Sequence, residues 1–325
     1  MSLKTNTDPA SKAALTNFGR DVHEGLTQRP KRLPSKYFYD AEGDRLFQQI
    51  MRMPEYYLTD CELEILQTHK HAILKQIGAA PFDLIELGAG DGMKTQVLLR
   101  HFLDQRIDFR YEPVDISANV LQHLETKLQR SLPGLTVQSL RGDYFEVLET
   151  VNRQTGKKKV ILFLGANIGN LTIERARRFL ARMAKNMHAG DLLLIGFDLK
   201  KDPEVILRAY DDPASITAAF NLNLLARINR ELDGHFDLKR FRHWETYDPA
   251  SGATKSYLVS LADQSVAIDA LDLEVPFDAW EAINVELSLK YSLRQVEALA
   301  EATGFRVREH YFDQRRYFVD SLWEK

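Results

Sequence analysis

Asp83-Leu84-Ile85-Glu86-Leu87-Gly88-Ala89-Gly90-Asp91-Gly92-Met93-Lys94-Thr95 is the stretch on which the fold turns. Leu84, Ile85 and Leu87 make a short apolar run of strand type, interrupted by Glu86. Three alternating glycines follow, Gly88, Gly90 and Gly92. Then comes a helical pattern in which Met93 and Val97 share one face and Leu98 and Phe102 an adjacent one. Strand, glycine turn and helix open the nucleotide pocket of doubly wound α/β folds. Glycine serves there because a side chain would hold the backbone away from the ligand. The spacing Gly-x-Gly-x-Gly, with an acid two residues before the first glycine, differs from the dinucleotide fingerprint Gly-x-Gly-x-x-Gly. Glu86 beside the turn would repel a pyrophosphate and suits a positively charged ligand. S-adenosylmethionine, with an α-ammonium, a sulfonium and no phosphate, answers that description. Taken alone, the same pattern also suits a plain tight turn.

Downstream, the strand pattern repeats. Residues 109–114 read as a second strand ending in Asp115, where Rossmann-type folds hydrogen-bond a ribose. Asp115 also suits the N-cap of a helix over 117–129, and the two roles are compatible. Residues 136–140 read as a third strand leading into Gly142-Asp143-Tyr144. There Asp143 offers a carboxylate to an adenine amine and Tyr144 a ring to stack on the base. Lys157-Lys158-Lys159 reads as a solvated loop, and the apolar run 160–164 as a central strand covered on both faces. Gly165-Ala166-Asn167-Ile168-Gly169-Asn170 then falls at a strand's carboxyl end, where open α/β sheets bind ligands. A helix over 173–185 and a fifth strand over 191–196 complete the Rossmann-like part.

Upstream, Tyr39, Tyr56 and Tyr57 lie in aromatic-rich segments and suit plain packing. Asp60 suits the N-cap of the next helix, with Leu63, Leu66 and Ile73 turned inward. Toward the carboxyl end, Asp212-Pro213 opens a helix by N-cap and N1 proline. Its inward face is expected at Ile216, Ala219, Phe220 and Leu224. Residues 285–291 alternate, with Glu286, Ser288 and Lys290 on one side, a face that is ordinarily solvated. A helix over 292–303 and strands over 305–312 and 317–322 follow. Helix then hairpin is how class I methyltransferases complete a seven-stranded sheet.

The 325 residues hold one large domain or two ordinary ones, and 44% apolar with 27% charged residues is the composition of a globular protein. A net charge of −3 argues against a general nucleic-acid or anionic-membrane binder. A single cysteine, Cys61, excludes an internal disulfide and a cysteine-based zinc site. With no apolar leader or long apolar run, the expectation is a cytoplasmic monomer that touches neither membrane nor nucleic acid and needs no metal.

Taken together, the motifs resemble the histidine-specific Nα-methyltransferases of ergothioneine biosynthesis, which convert histidine to its trimethyl betaine, hercynine. The specific pieces are Phe38-Tyr39-Asp40, Pro54-Glu55-Tyr56-Tyr57, Ile168-Gly169-Asn170-Leu171-Thr172, Arg208-Ala209-Tyr210-Asp211-Asp212 and Ala218-Ala219-Phe220-Asn221, and they run in order along nearly the whole chain. The resemblance implies an α/β fold: a Rossmann-like class I methyltransferase seven-stranded sheet with an inserted α+β substrate-binding lid domain. It implies a cofactor-binding domain over 61–198 and 287–325 and a lid over 15–60 and 199–286. S-adenosylmethionine would meet Glu86, Gly88, Lys94, Asp115, Asp143 and Tyr144. A small amino-acid substrate would meet Tyr56, Asn170, Tyr210, Glu286 and Ser288, with the imidazole at Tyr56, Glu286 and Ser288. Asn170 and Tyr39 are the catalytic candidates. The chain departs from the family pattern at Asp91-Gly92-Met93, at Gly165-Ala166-Asn167 and at Ser256, where a methionine beside the imidazole is usual. Three rivals stand beside this reading: the same chemistry on tryptophan or a related indole amine, an NAD-dependent oxidoreductase, and a non-catalytic binding module.

Overall fold

A computed structural model describes residues 16–115, 118–142, 147 and 156–325. In chain order the strands are β1 (Phe82–Leu87), β2 (Phe109–Asp115), β3 (Leu140–Arg141), β4 (Lys158–Phe163), β5 (Leu192–Asp198) and β6 (Phe241–Asp248). They continue with β7 (Ala253–Ser260), β8 (Gln264–Ile268), β9 (Leu273–Phe277), β10 (Ala282–Leu289), β11 (Arg306–Phe312) and β12 (Phe318–Glu324). Seven of them form one sheet in the order β11-β12-β5-β4-β1-β2-β3. Neighbours from β5 to β3 run parallel, while β12 is antiparallel to both β5 and β11. This is the Rossmann-like class I methyltransferase sheet expected from the strand pattern, with the terminal hairpin supplying β11 and β12. β1, β5 and most of β12 are buried on both faces, as apolar strands between two helical layers must be.

The chain divides into two compact units. One comprises Met53–Ala209, Tyr247–Thr254 and Leu287–Lys325 and carries the seven-stranded sheet. The other takes the residues up to Arg52, with Tyr210–Thr246 and Lys255–Glu286. Its helices are Asn17–Thr27, Ala41–Ile50 and Ile216–Leu232, and β8 and β9 pair antiparallel within it. Phe38 and Phe220 pack with ring centroids 4.8 Å apart at its centre, and Tyr39 and Phe47 join the same cluster. Asp40 anchors the unit: it caps Ala41–Ile50 by accepting from the Gly43 amide at 2.7 Å, and it accepts from Asn223 (2.8 Å) and Arg230.

Local signals misplaced several boundaries. Helix Tyr57–Ile77 starts three positions before the expected Asp60 cap, because the buried Tyr57 hydroxyl is held by Asp198 and Lys201. Leu66 and Ile73 do turn inward, but Leu63 is only half-buried, and Cys61, Glu62 and Ile65 lie at the centre of the helix's inner face. The helix after the glycine turn runs Gln96–Asp104, and Met93 stays on the turn, 39% exposed. β3 is two residues long; residues before it pair with β2 only through Tyr111, whose amide donates to Thr136 O. Lys158 and Lys159 are not a solvated loop: both belong to β4, and Lys159 is fully buried against Asp191, 3.3 Å away. Asp212 caps from further back than expected, accepting from the amides of Ile216 and Thr217 at 2.9 and 2.8 Å, so the helix begins at Ile216. Ala219 points outward, and Thr217, Phe220, Leu224 and Ile228 form the buried face. Among the described residues no helix is long and apolar enough to cross a membrane.

Candidate active site

In the sheet unit, β1 delivers the chain into a turn where Gly88, Gly90 and Gly92 all adopt positive φ (72°, 54° and 64°). Non-glycine residues adopt such angles at a cost. A Cβ built on Gly90 would meet nothing within 4 Å, so the turn presents bare backbone to open space. That is the cradle a nucleoside-bearing ligand needs. The Gly88 amide donates to Val114 O (3.0 Å), tying the turn to the end of β2, where Asp115 stands half-buried. Asp143 and Tyr144 lie outside the described residues.

Glu86 is buried beneath the turn. Thr95 Oγ1 donates to it at 2.5 Å and the Tyr111 hydroxyl donates to its other oxygen. Burial raises its pKa to about 7, and the two hydroxyls and Lys94 only partly offset that. Both Glu86 oxygens are thus engaged by internal donors.

Lys94 does not stand alone. Its ammonium donates to Glu62, a fully buried carboxylate on helix Tyr57–Ile77 that also accepts from the Gly165 amide at 2.7 Å. Burial opposes the lysine's charge, but Glu62 outweighs it and raises the pKa. Asp320, fully buried on β12, faces the same carboxylate and receives no N–H or O–H from the described residues. Two carboxylates in contact can hydrogen-bond only if one carries a proton. Burial first, and then the Glu62 charge, push Asp320 well above the ordinary carboxylate range, so the proton resides there. The glycine at position 196, opposite Asp320 in the β5–β12 register, leaves room for this group: a Cβ there would lie 2.4 Å from Glu62 Oε1.

After β4 the backbone turns through Gly165 and Ala166, both at positive φ (77° and 53°), into a short 3-10 turn, Asn167–Asn170. Left-handed geometry at an alanine is a costly arrangement of the kind functional loops keep. Asn167 is spent on the loop itself, its amide donating to Leu164 O (2.8 Å), whereas Asn170 is exposed. Gly169 lies flat on β10: a Cβ there would sit 2.8 Å from Leu289 O and 3.6 Å from Ser288 Oγ. The fold thus brings the turn bearing Asn170 against Ser288. Tyr56, half-buried, stands at the entry to helix Tyr57–Ile77.

Behind Ser288 lies a buried charge cluster that the sequence reading took for a solvated face. Lys290 Nζ donates to Ser288 Oγ (2.8 Å) and pairs with Asp198 Oδ2 (2.9 Å), with both charged side chains fully buried. Lys201 and the Tyr57 hydroxyl converge on the same Asp198. The two ammonium groups outweigh burial and hold Asp198 below the usual carboxylate range.

The other unit carries Tyr39, Tyr210 and Glu286. Tyr39 is 46% exposed, yet its hydroxyl sits among enough protein atoms that desolvation, followed by the Glu286 charge, raises its pKa. It stays a protonated phenol, a hydrogen-bond partner rather than a base. Ser256, fully buried on β7, donates to Glu286 at 3.4 Å, a link a methionine there would not make. Tyr210 ends helix Pro203–Tyr210, and its carbonyl accepts from His243 Nε2 (3.0 Å), while Asn221 meets His243 Nδ1 (2.9 Å). Burial lowers the His243 pKa, so the imidazole is neutral with its proton on Nε2.

Glu62, Asp320, Asp198 and Lys290 were absent from the sequence-based set. A signal existed for two of them. Glu62 follows Cys61 in the midst of the apolar positions Leu58, Ile65 and Leu66, and Asp320 interrupts an apolar strand.

Against known proteins, residues 18–325 match the family described as histidine-specific methyltransferase, SAM-dependent. The chain is 39% identical to a histidine N-alpha-methyltransferase from Mycolicibacterium smegmatis over 322 residues, covering 99% of each protein. It is 40% identical to that of Mycobacterium tuberculosis over 306 residues, 94% of each. It is also 31% identical to ergothioneine biosynthesis protein 1 of Schizosaccharomyces pombe, matching 89% of this chain and 38% of that protein.

Proposed function

The chain belongs to the histidine-specific, S-adenosylmethionine-dependent methyltransferases, and we propose that it methylates the α-amino nitrogen of L-histidine through to the trimethyl betaine hercynine, a step of ergothioneine biosynthesis. The observation that carries this is the match of nearly the full chain to that family at close to 40% identity with two named histidine N-alpha-methyltransferases. In this reading the sheet unit holds the cofactor and the second unit is the substrate lid.

When bound, S-adenosylmethionine supplies an electrophilic methyl group on a sulfonium. Gly88 and its open turn, Lys94 and Asp115 hold it, with Asp143 and Tyr144 assigned to the adenine end. Glu86 sits beneath as a buried charge that favours a cationic ligand. Asn170 accepts from the substrate nitrogen through its side-chain carbonyl and aims the lone pair, and proximity of this kind supplies much of the rate. Tyr210 secures the carboxylate end. Tyr39, kept protonated, orients the amine without removing its proton. Glu286, steadied by Ser256, accepts from the imidazole N–H, while Ser288 and Tyr56 complete the ring site. Polar partners on both ring nitrogens reject apolar side chains, because the unmatched analogue would leave them unpaired.

A reaction with mixed amino acids, read by mass spectrometry, is expected to show histidine gaining three methyl groups. Methylation of tryptophan with histidine untouched would overturn the assignment.

A further inference from the structure

Glu62 has no role in the reading above, yet it stands where the strand order reverses. Strands β4 and β1 are parallel neighbours, with β5 beyond β4 and β2 beyond β1. The turns that leave their carboxyl ends therefore diverge and open the crevice in which open α/β sheets bind ligands. The turn after β1 carries Lys94, and the turn after β4 runs from Gly165 to Asn170. Helix Tyr57–Ile77 reaches both with one side chain. One Glu62 oxygen accepts from Lys94 Nζ and the other from the Gly165 amide at 2.7 Å. Lys94 Nζ would lie 3.6 Å from a Cβ on Gly165, so the two turns nearly touch at this point.

A carboxylate is a costly way to fasten a helix to a sheet. Glu62 is fully buried, and a well-packed apolar side chain of similar volume would hold the two together at less expense in desolvation. Strand β5 gives up a side chain to admit it, since a Cβ on Gly196 would collide with Glu62 Oε1. A glycine inside a buried strand weakens that strand. Asp320 on β12 closes the far side of the carboxylate. What Glu62 supplies, and an apolar residue would not, is a pair of acceptors at fixed spacing, one for each turn. Its tie to Asn170 is stiff. Gly165 and Ala166 stand at positive φ, the Gly169 amide donates to Ala166 O (2.8 Å), and Asn167–Asn170 is a 3-10 turn. A shift of the Gly165 amide thus carries Asn170 with it. On the other side, Lys94 Nζ gives one hydrogen bond among the described residues, to Glu62, which leaves two of its three N–H groups for a ligand.

We propose that Glu62 is a positioning residue for methyl transfer: by accepting from Lys94 with one oxygen and from the Gly165 amide with the other, it fixes the cofactor turn and the Asn170 turn in one relative geometry. The inference rests on the reading that Lys94 meets S-adenosylmethionine and Asn170 the substrate nitrogen. In-line displacement depends on the placement of the amine behind the methyl group, and Glu62 is the group that spans the two sides.

The test is the single-turnover rate of methyl transfer at saturating S-adenosylmethionine and histidine, with folding checked by circular dichroism. Glu62→Gln keeps the volume, but its amide nitrogen cannot accept, so one of the two ties is lost. The rate should fall roughly tenfold or more, as a displacement of about 1 Å does in other enzymes. Kd for S-adenosylhomocysteine and KM for histidine should each move less than about threefold, the signature of an interaction that matters in the transition state. Gly196→Ala pushes Glu62 from behind with its charge and both acceptors intact, and it should slow the same step. This second variant reads the ties even where Glu62→Gln fails to fold. A lowered Tm with a wild-type rate in the folded protein would assign Glu62 a structural role and overturn the proposal. A loss confined to S-adenosylhomocysteine affinity and recovered at saturation would overturn it too. The underlying reading fails separately, through a Lys94→Met variant with unchanged Kd for S-adenosylhomocysteine or an Asn170→Ala variant with unchanged rate and histidine KM.

Discussion

Replacing Glu86 by glutamine should abolish a pH dependence that the fold builds in beneath the cofactor turn. The carboxyl is buried and its pKa is raised from 4.5 to about 7, chiefly by desolvation. A group whose folded pKa lies above its unfolded value contributes stability that is fully present below the unfolded pKa and lost as pH rises through the folded one. Between pH 4.5 and 7 the wild-type protein should therefore lose about 1.4 kcal/mol per pH unit from this group, roughly 3 kcal/mol in all. Glutamine keeps the shape. Its carbonyl accepts from one of the two hydroxyls, Thr95 or Tyr111, and its amide donates to the other. The stabilities of variant and wild type should thus be close at pH 5 and diverge toward pH 8, with the variant the more stable by about 3 kcal/mol. Urea denaturation followed by far-UV circular dichroism at several pH values measures this. Cofactor affinity should move the opposite way: S-adenosylmethionine binds the ionised form better, so wild-type affinity falls below pH 7 while that of Glu86→Gln stays flat and weaker. Parallel stability profiles for the two proteins would refute the burial of an ionisable Glu86.

Asp320→Asn should leave thermal stability and cofactor affinity nearly unchanged at pH 7, because the native side chain is already a neutral hydrogen-bond donor to Glu62; a drop of ten degrees in Tm would show that Asp320 is ionised. Gly169→Ala should raise KM for histidine and lower kcat while sparing S-adenosylmethionine binding. The new methyl group can be relieved only by moving the Asn170 turn off the Leu289 backbone 2.8 Å away, and unchanged kinetics would dismiss that contact. Asp212→Ala removes the acceptor for two helix-start amides and should cost about 1–2 kcal/mol in denaturation experiments. Burial opposes ionisation of Asp212, but its backbone hydrogen bonds outweigh it and lower the pKa, so this contribution is present above the unfolded value and vanishes as pH falls through the folded one.

Much of the fold was legible because its signals are local. The apolar run of β4, the strand–glycine–helix passage at β1 and the alternation of β10 each depend on residues a few positions apart, and each was placed to within a few residues. The errors arose where a distant group overrides the local preference. Helix Tyr57–Ile77 begins early because Tyr57 is tethered to Asp198, far along the chain. The lysines at 158 and 159 enter a strand because Asp191 and the Ile77 carbonyl receive their ammonium groups. β3 fades because it is a sheet edge, where pairing is available on one side only.

The sequence by itself determined the reaction class. The strand succession, the glycine turn and the family motifs are written in short stretches, and Tyr56, Asn170, Tyr210, Glu286 and Ser288 were named from the resemblance those motifs carry. The electrostatic state of the site was decided only by the tertiary structure. Glu62, Lys94, Gly165 and Asp320 come from four separate parts of the chain, and Tyr57, the Asp198–Lys201 segment and Lys290 from three. Whether a carboxylate holds a proton depends on burial and on which charge faces it, and both exist only once the chain has folded.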